Sequence, residues 1–190
     1  MTAYNLNTYN IMKTSIIVCL LFCFTITFGQ DKLITKNGTV TFEASVPSFE
    51  EVKAKNTSVT CILNTKTGEI ASLALIKGFK FKVALMEEHF NENYMESDKH
   101  PKATFRGTIK DFNLDALTNT FKEYTINGKL EMHGKSKEIS AVAKIKKTNN
   151  GIEIETNFPV NASDYGIEIP SVVKNKVSNK INITNLFVLK

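Results

Sequence analysis

From Gly38 onward the apolar residues of this chain fall repeatedly on every second position, a period that belongs to β-strands and to little else. Val40, Phe42, Ala44 and Val46 alternate with Thr39, Thr41, Glu43 and Ser45. Phe79, Phe81, Val83 and Leu85 alternate with Lys80 and Lys82, and Tyr124, Ile126, Gly128, Leu130 and Met132 with Thr125, Lys129 and Glu131. The pattern returns in Ile139, Ala141, Ala143 and Ile145, then in Ile152, Ile154, Thr156 and Phe158. Strands also fit Val59 to Asn64, Glu69 to Ile76, Ala103 to Asp111 and Lys180 to Leu189. Each has one apolar and one polar face, the signature of antiparallel strands packed on a core from one side.

Turn chemistry sits between these runs at Lys66-Thr67-Gly68, His133-Gly134-Lys135-Ser136 and Thr148-Asn149-Asn150-Gly151, as hairpins require. Helical pattern is confined to Met86 to Phe90 and to Ser171 to Val177 after Pro170. Neither segment can build a layer. The chain is therefore expected to be one all-β domain, a closed barrel or a sandwich with one or two short helices, and a closed barrel of about eight strands can hold one small apolar ligand.

Ile16 to Phe28 is a continuous apolar run that follows Met12-Lys13 and precedes Gly29-Gln30, so the folded domain is expected to begin near residue 30. This pattern predicts a secretory signal peptide over residues 1–29 with cleavage near Gly29 or Gln30, and a protein that is periplasmic or secreted. Met1 to Ile11 carry no charge, whereas Met12-Lys13 makes a better signal start, so initiation is expected at Met12. The run is short for a membrane span, which takes roughly 20 apolar residues, and no second one follows. Cys19 and Cys23 would leave with the signal, and Cys23, embedded after Leu21 and Phe22, is not placed for lipidation. Cys61 then remains alone, without an internal disulfide partner, between Val59 and Leu63 on a core-facing stripe.

The lysines are spread along the chain, with only Lys144, Lys146 and Lys147 clustered and Arg106 the sole arginine, which argues against a nucleic-acid surface. No Gly-x-Ser-x-Gly elbow or phosphate-cradling glycine loop occurs. Glu88, His89, His100 and His133 form the one set that could serve a metal or a reaction, yet Glu88-His89 lacks the second histidine four residues away that a zinc peptidase helix would show. A binding protein without enzymatic activity is the preferred expectation, with a metal-dependent or catalytic protein and a dry-core interaction barrel as alternatives.

The segment Leu85 to Gly107 carries the densest chemistry. It is a long excursion between strand runs, and long loops without their own strands are usually functional or disordered. Phe90, Tyr94, Met95 and Phe105 argue against disorder. Phe42, Phe79, Phe81, Phe105 and Phe158 lie on the apolar faces of different strands, where they either fill a core or line a cavity. Met86, Tyr94 and Met95 would suit the mouth of such a cavity.

The stretch His89 to Gly107, HFNENYMESDKHPKATFRG, followed by Gly128 to Lys137, GKLEMHGKSK, and by Phe158-Pro159-Val160 and Asp164 to Pro170, DYGIEIP, resembles the YceI-like family, in the variant seen in secreted proteins of Bacteroidetes-type bacteria. The resemblance spans essentially the whole chain after the signal. It implies a single antiparallel lipocalin-like β-barrel whose apolar tunnel binds a polyisoprenoid, an isoprenoid quinone or another long-chain amphiphile in the periplasm, with no further cofactor. It further implies that Phe42, Phe81, Met86, Phe90, Tyr94, Met95, Phe105, Tyr165 and Ile167 line the ligand site. The expected partner is an apolar or amphiphilic lipid, not nucleic acid, and a homodimer is left open. Asn91, Asn93, Tyr94 and Ser97 stand where better-known members carry a histidine-serine-phenylalanine version of the loop, so the resemblance does not carry a head-group preference over to this chain.

Overall fold

The structure, a computed structural model, describes residues 31–190; the expected signal peptide and the Met12 start lie outside the described residues. The alternating sequence runs become nine antiparallel strands: β1 (Lys32–Ser45), β2 (Lys53–Asn64), β3 (Glu69–Leu75), β4 (Lys80–Phe81), β5 (Lys102–Ile109), β6 (Lys122–Met132), β7 (Lys135–Thr148), β8 (Gly151–Asn161) and β9 (Val177–Leu189). Their order is β1-β9-β8-β7-β6-β5-β3-β2, and β1 pairs again with β2, so the sheet closes on itself. β4 stays outside this ring and pairs only with the start of β2, through Ala54↔Phe81 and Lys55↔Lys80. The result is an eight-stranded barrel with one extra short strand. Closure removes most of the open edge at which another chain could pair, although β7 pairs with β8 only from Ala143 to Thr148 and its first half, residues 135–142, has no β8 partner.

The period-two pattern sets which side chains point inward. In β6, Tyr124, Ile126 and Leu130 are buried while Thr125, Asn127 and Glu131 are exposed, and in β8 Ile152, Ile154, Thr156 and Val160 are buried. Where β5 and β6 meet, Gly107 is paired directly with Gly128. A Cβ on Gly128 would come within 2.5 Å of the Gly107 Cα and 2.7 Å of the Phe105 Cζ. The two glycines thus allow the strands to approach closely and give the Phe105 ring a place to lie.

Strand direction sorts the connections into two groups. At one end are the short turn 65–68, the segment 110–121, the turn 149–150 and the chain's C-terminus, which bonds back to β1 through Ile34 N–H to Lys190 O at 2.9 Å. This end is filled by Leu63, Ile109, Leu117, Tyr124, Ile145, Ile152 and Leu189, all buried in one apolar cluster. At the other end are the loop 46–52, the long excursion 76–101, the His133-Gly134 turn and the loop 162–176. The barrel is therefore plugged at the end with the short turns and elaborated at the other.

Two local expectations are corrected. Gly78 to Leu85 alternates like a strand, but only Lys80–Phe81 pairs, and the chain then enters α1 (Ala84–His89), followed by one π-turn over Phe90–Tyr94. The reason is a lack of partners: β2 offers this segment only Ala54 and Lys55. The second expected helix, Ser171 to Val177, shrinks to a single 3-10 turn over Ser171–Val173, and Val177 already belongs to β9. Asn56 fixes the start of the excursion. It is fully buried, donates from Nδ2 to the Leu75 carbonyl at 3.0 Å, and accepts from the Ser58 N–H at 2.9 Å. Its amide occupies the space over Gly78, where a Cβ would lie 2.5 Å from Nδ2.

Candidate functional site

The upper half of the barrel, toward the long loops, is hollow. A cavity of about 490 Å³ opens there, within the range of sites that enclose small-molecule ligands. Its walls are the inward positions of the strands: Val40, Phe42 and Ala44 from β1, Val59 from β2, Ile70 and Ala74 from β3, Ile126 and Leu130 from β6, Ala141 from β7, Ile154 and Val160 from β8, and Ile183 and Phe187 from β9. Two of its few polar lining groups bond each other, Asn185 Nδ2 donating to Thr156 Oγ1 at 2.7 Å. A lining made mainly of aliphatic and aromatic side chains favours an apolar chain, because a polar group buried there would lose its hydrogen bonds to water. Charge appears among the lining residues of the long-loop end with Glu50 and Lys176, both exposed, and the exposed His89 lies there too.

The excursion contributes to this site through aromatic packing. Phe90, at the start of the π-turn, stacks on Phe42 with ring centroids 5.1 Å apart and an interplanar angle of 25°. It also meets Phe81 at 5.2 Å and Phe79 at 5.9 Å. Four rings from β1, the β4 region and the excursion thus form one cluster on the cavity wall, and each aromatic pair adds roughly 0.5–1.5 kcal/mol beyond its buried area. The helical segment is tied down by Glu87, whose carboxylate takes the Lys80 ammonium at 2.5 Å and the Phe81 N–H at 3.2 Å. Those bonds hold the Glu87 carboxyl below its ordinary range, with the Lys80 hydrogen bond the largest cause.

Of the residues expected to line the site, Phe42, Phe81, Met86, Phe90, Tyr94, Met95, Phe105 and Ile167 all face the cavity. Tyr165 does not, and this is a correction. It lies in the 3-10 turn Ala162–Tyr165, which Gly166 ends at φ 70°, and it is packed in the apolar cluster with Ile76, Met95, Leu130 and Ile167. Burial there pushes the Tyr165 phenol up to about 12. Beyond the expected set, the aliphatic wall of Val59, Ile70, Ile126 and Ile154 completes the cavity. The alternation in the sequence marked such positions as inward but could not divide those over the cavity from those in the plug.

The set Glu88, His89, His100 and His133 is not brought together. His89 and Glu88 are exposed on α1, with His89 at the cavity. His100 and His133 do meet, with ring centroids 4.8 Å apart, and the carboxylate beside them is Glu96. Cys61 is completely buried and burial pushes its thiol up to about 12, the opposite of an activated nucleophile.

Fold and cavity together define the class: a closed up-and-down β-barrel, plugged at one end, with an apolar chamber open toward long loops at the other. Within that class the particular family follows, since the model of the YceI-like domain matches residues 25–188, and the chain belongs to that family. No curated protein sequence matches it. Among solved structures it is similar to a polyisoprenoid binding domain from Saccharophagus degradans implicated in plant cell wall breakdown, at 13% identity and TM-score 0.70 over 82% of this chain and 95% of that one. It is also similar to BcnA of Burkholderia cenocepacia, at 13% identity and TM-score 0.65 over 78% and 94%. A YCEI protein of Campylobacter jejuni follows at 16% identity and TM-score 0.60 over 76% and 88%. At these identities the likeness establishes the shared barrel.

Proposed function

We propose that this protein is a lipid-binding barrel that holds a polyisoprenoid, an isoprenoid quinone or another long-chain amphiphile, for transport or storage in the periplasm or outside the cell, and that it is not an enzyme. The observation that carries the reading is the chamber of about 490 Å³ at the long-loop end, lined mainly by aliphatic and aromatic side chains. A chain buried in such a chamber gains roughly 0.8 kcal/mol for each methylene-sized group removed from water, so tight binding needs no reactive group. Glu50 and Lys176 at the long-loop end supply both charge signs for a polar head, with the His89 imidazole beside the same cavity. The solved relative described as a polyisoprenoid binding domain supports the ligand class. The apolar run Ile16 to Phe28 supports export.

Native mass spectrometry with lipid extraction, on the chain expressed with its own N-terminal segment in a bacterial host, tests the reading. The expected result is a discrete added mass that resolves into an isoprenoid or acyl chain, together with an N-terminus near Gln30. A bare protein mass that stays unchanged after incubation with polyprenols, quinones and fatty amides would overturn the lipid assignment. Retention of Met1 to Phe28 on the exported protein would overturn the export assignment.

A further inference from the structure

The closest approach of imidazoles and carboxylate among the described residues lies at the long-loop end, outside the cavity lining. His133 and Gly134 are the two residues of the β6–β7 turn, both with positive φ, 51° and 69°, the geometry of a type I′ hairpin. The His133 Nδ1 lies 3.0 Å from the carbonyl oxygen of Tyr165. A carbonyl can only accept, so Nδ1 is the protonated nitrogen and, in the neutral ring, Nε2 keeps its lone pair. That Nε2 is buried and makes no hydrogen bond, although the Glu96 Oε2 is 3.4 Å away. An imidazole oriented through Nδ1 by a backbone carbonyl, with Nε2 unused, is arranged as metal-ligating histidines are.

Glu96 and His100 complete the set. Glu96 has φ 42°, a left-handed conformation that a non-glycine residue holds only against strain. The turn it starts returns the Lys99 and His100 N–H groups to the Glu96 carbonyl at 2.8 and 2.9 Å. This places the His100 and Glu96 side chains together, while Lys99 takes Oε1 and leaves Oε2 directed at His133. The ligand atoms of Glu96, His100 and His133 all lie within 4.8 Å of one another. A tetrahedral ion with bonds of about 2.0–2.2 Å separates its ligand atoms by about 3.3–3.6 Å. The Glu96–His133 distance already meets that requirement. The His100 ring must close the remaining gap; it is half-buried and rests over Gly134, where a Cβ would lie 3.0 Å from its Cε1.

We propose that Glu96, His100 and His133 form a binding site for a divalent transition metal of the zinc class, with two imidazoles and one carboxylate as ligands and a fourth position open to water. Its effect is to pin the excursion to the β6–β7 turn, and through the Tyr165 carbonyl to the 162–165 turn, three segments at the open end of the barrel. The site stands apart from the apolar chamber and does not depend on what the chamber holds.

Zinc sulfate titrated calorimetrically into the untagged full chain, after chelator treatment and dialysis, tests it. His133→Asn is the first variant, because asparagine favours the same left-handed turn and removes the imidazole; His100→Phe is the second and keeps a ring over Gly134. The expected result is one equivalent of zinc bound at micromolar or lower Kd, a raised Tm, and at least about a tenfold weaker Kd in each variant, with circular dichroism unchanged. A wild-type protein that takes up no zinc, or folded variants that bind it as tightly as wild type, would overturn the assignment.

Discussion

A phenyl ring placed on the cavity wall at Ala141 separates an open chamber from a filled core. Ala141 is inward-facing on β7, paired with Ile126, buried, and part of the chamber wall. If the chamber is empty in the free protein, Ala141→Phe puts its ring into space that a ligand chain would use. Displacing about four methylene-sized groups at roughly 0.8 kcal/mol each removes about 3 kcal/mol of binding, which raises Kd by about 200-fold. The free protein should keep its stability, since the added ring meets no packed neighbour. Were the interior filled, the same substitution would overpack it at a cost of about 1–3 kcal/mol. That cost would lower Tm by roughly 2–12 °C for a domain of this size. The neighbouring Val142 points outward at 51% exposure, so Val142→Phe is the control and should change neither quantity. Titration of a polyprenol or long-chain fatty probe, followed by tryptophan-free intrinsic fluorescence quenching or by mass, gives Kd, and calorimetry gives Tm. A lowered Tm with unchanged Kd in Ala141→Phe would refute the open chamber.

Three other perturbations read the surrounding structure. Cys61 stays neutral in the fold up to about 12 but ionises from its ordinary value of 9.0 when unfolded. Its contribution is therefore complete below pH 9 and lost as pH rises toward 12, at about 1.4 kcal/mol per pH unit; urea denaturation of Cys61→Val should show a shallower alkaline loss than wild type, and parallel curves would contradict this. Asn56→Ala leaves the Leu75 carbonyl and the Ser58 N–H without partners, and chemical denaturation should register a loss of about 2–4 kcal/mol; a loss under about 0.5 kcal/mol would show that water replaces the amide. Gly134→Ala forces an alanine to φ 69° against the His100 ring, and should cost about 1–2 kcal/mol in the same assay; an unchanged midpoint would mean that the turn relaxes.

Much of the barrel was legible because its strands are half-buried and a half-buried strand writes its burial into alternate residues. β6 and β8 follow that rule through nearly their whole length, and the turns around them carry the residues that their backbones require. The alternation of Phe79, Phe81 and Val83 misled, because period two reports which way side chains would point and not whether a neighbouring strand exists to pair with. Closure of β1 onto both β2 and β9 is a long-range event without a local mark. The cavity-lining aromatics Phe42 and Phe81 could be placed from the alternation around them, and Phe90 from the family motif. Tyr165 could not, since a 3-10 turn ended by left-handed Gly166 decides where it goes. His100 and His133 were legible as candidates, but Glu96 as their carboxylate partner was hidden for a related reason: a strained residue and a hairpin turn, far apart in sequence, bring the three together.

The central claim is that an apolar chain enters the upper half of this barrel, and isotope-filtered NMR tests it at the atoms involved. Unlabelled long-chain lipid added to protein carrying labelled methyl groups should give nuclear Overhauser contacts from the chain methylenes to Ile126, Ala141 and Ile154, which line the chamber. The outward-facing Val142, Leu73 and Val188 should give none. Contacts confined to those outer methyls, with Ile126, Ala141 and Ile154 silent, would contradict the account.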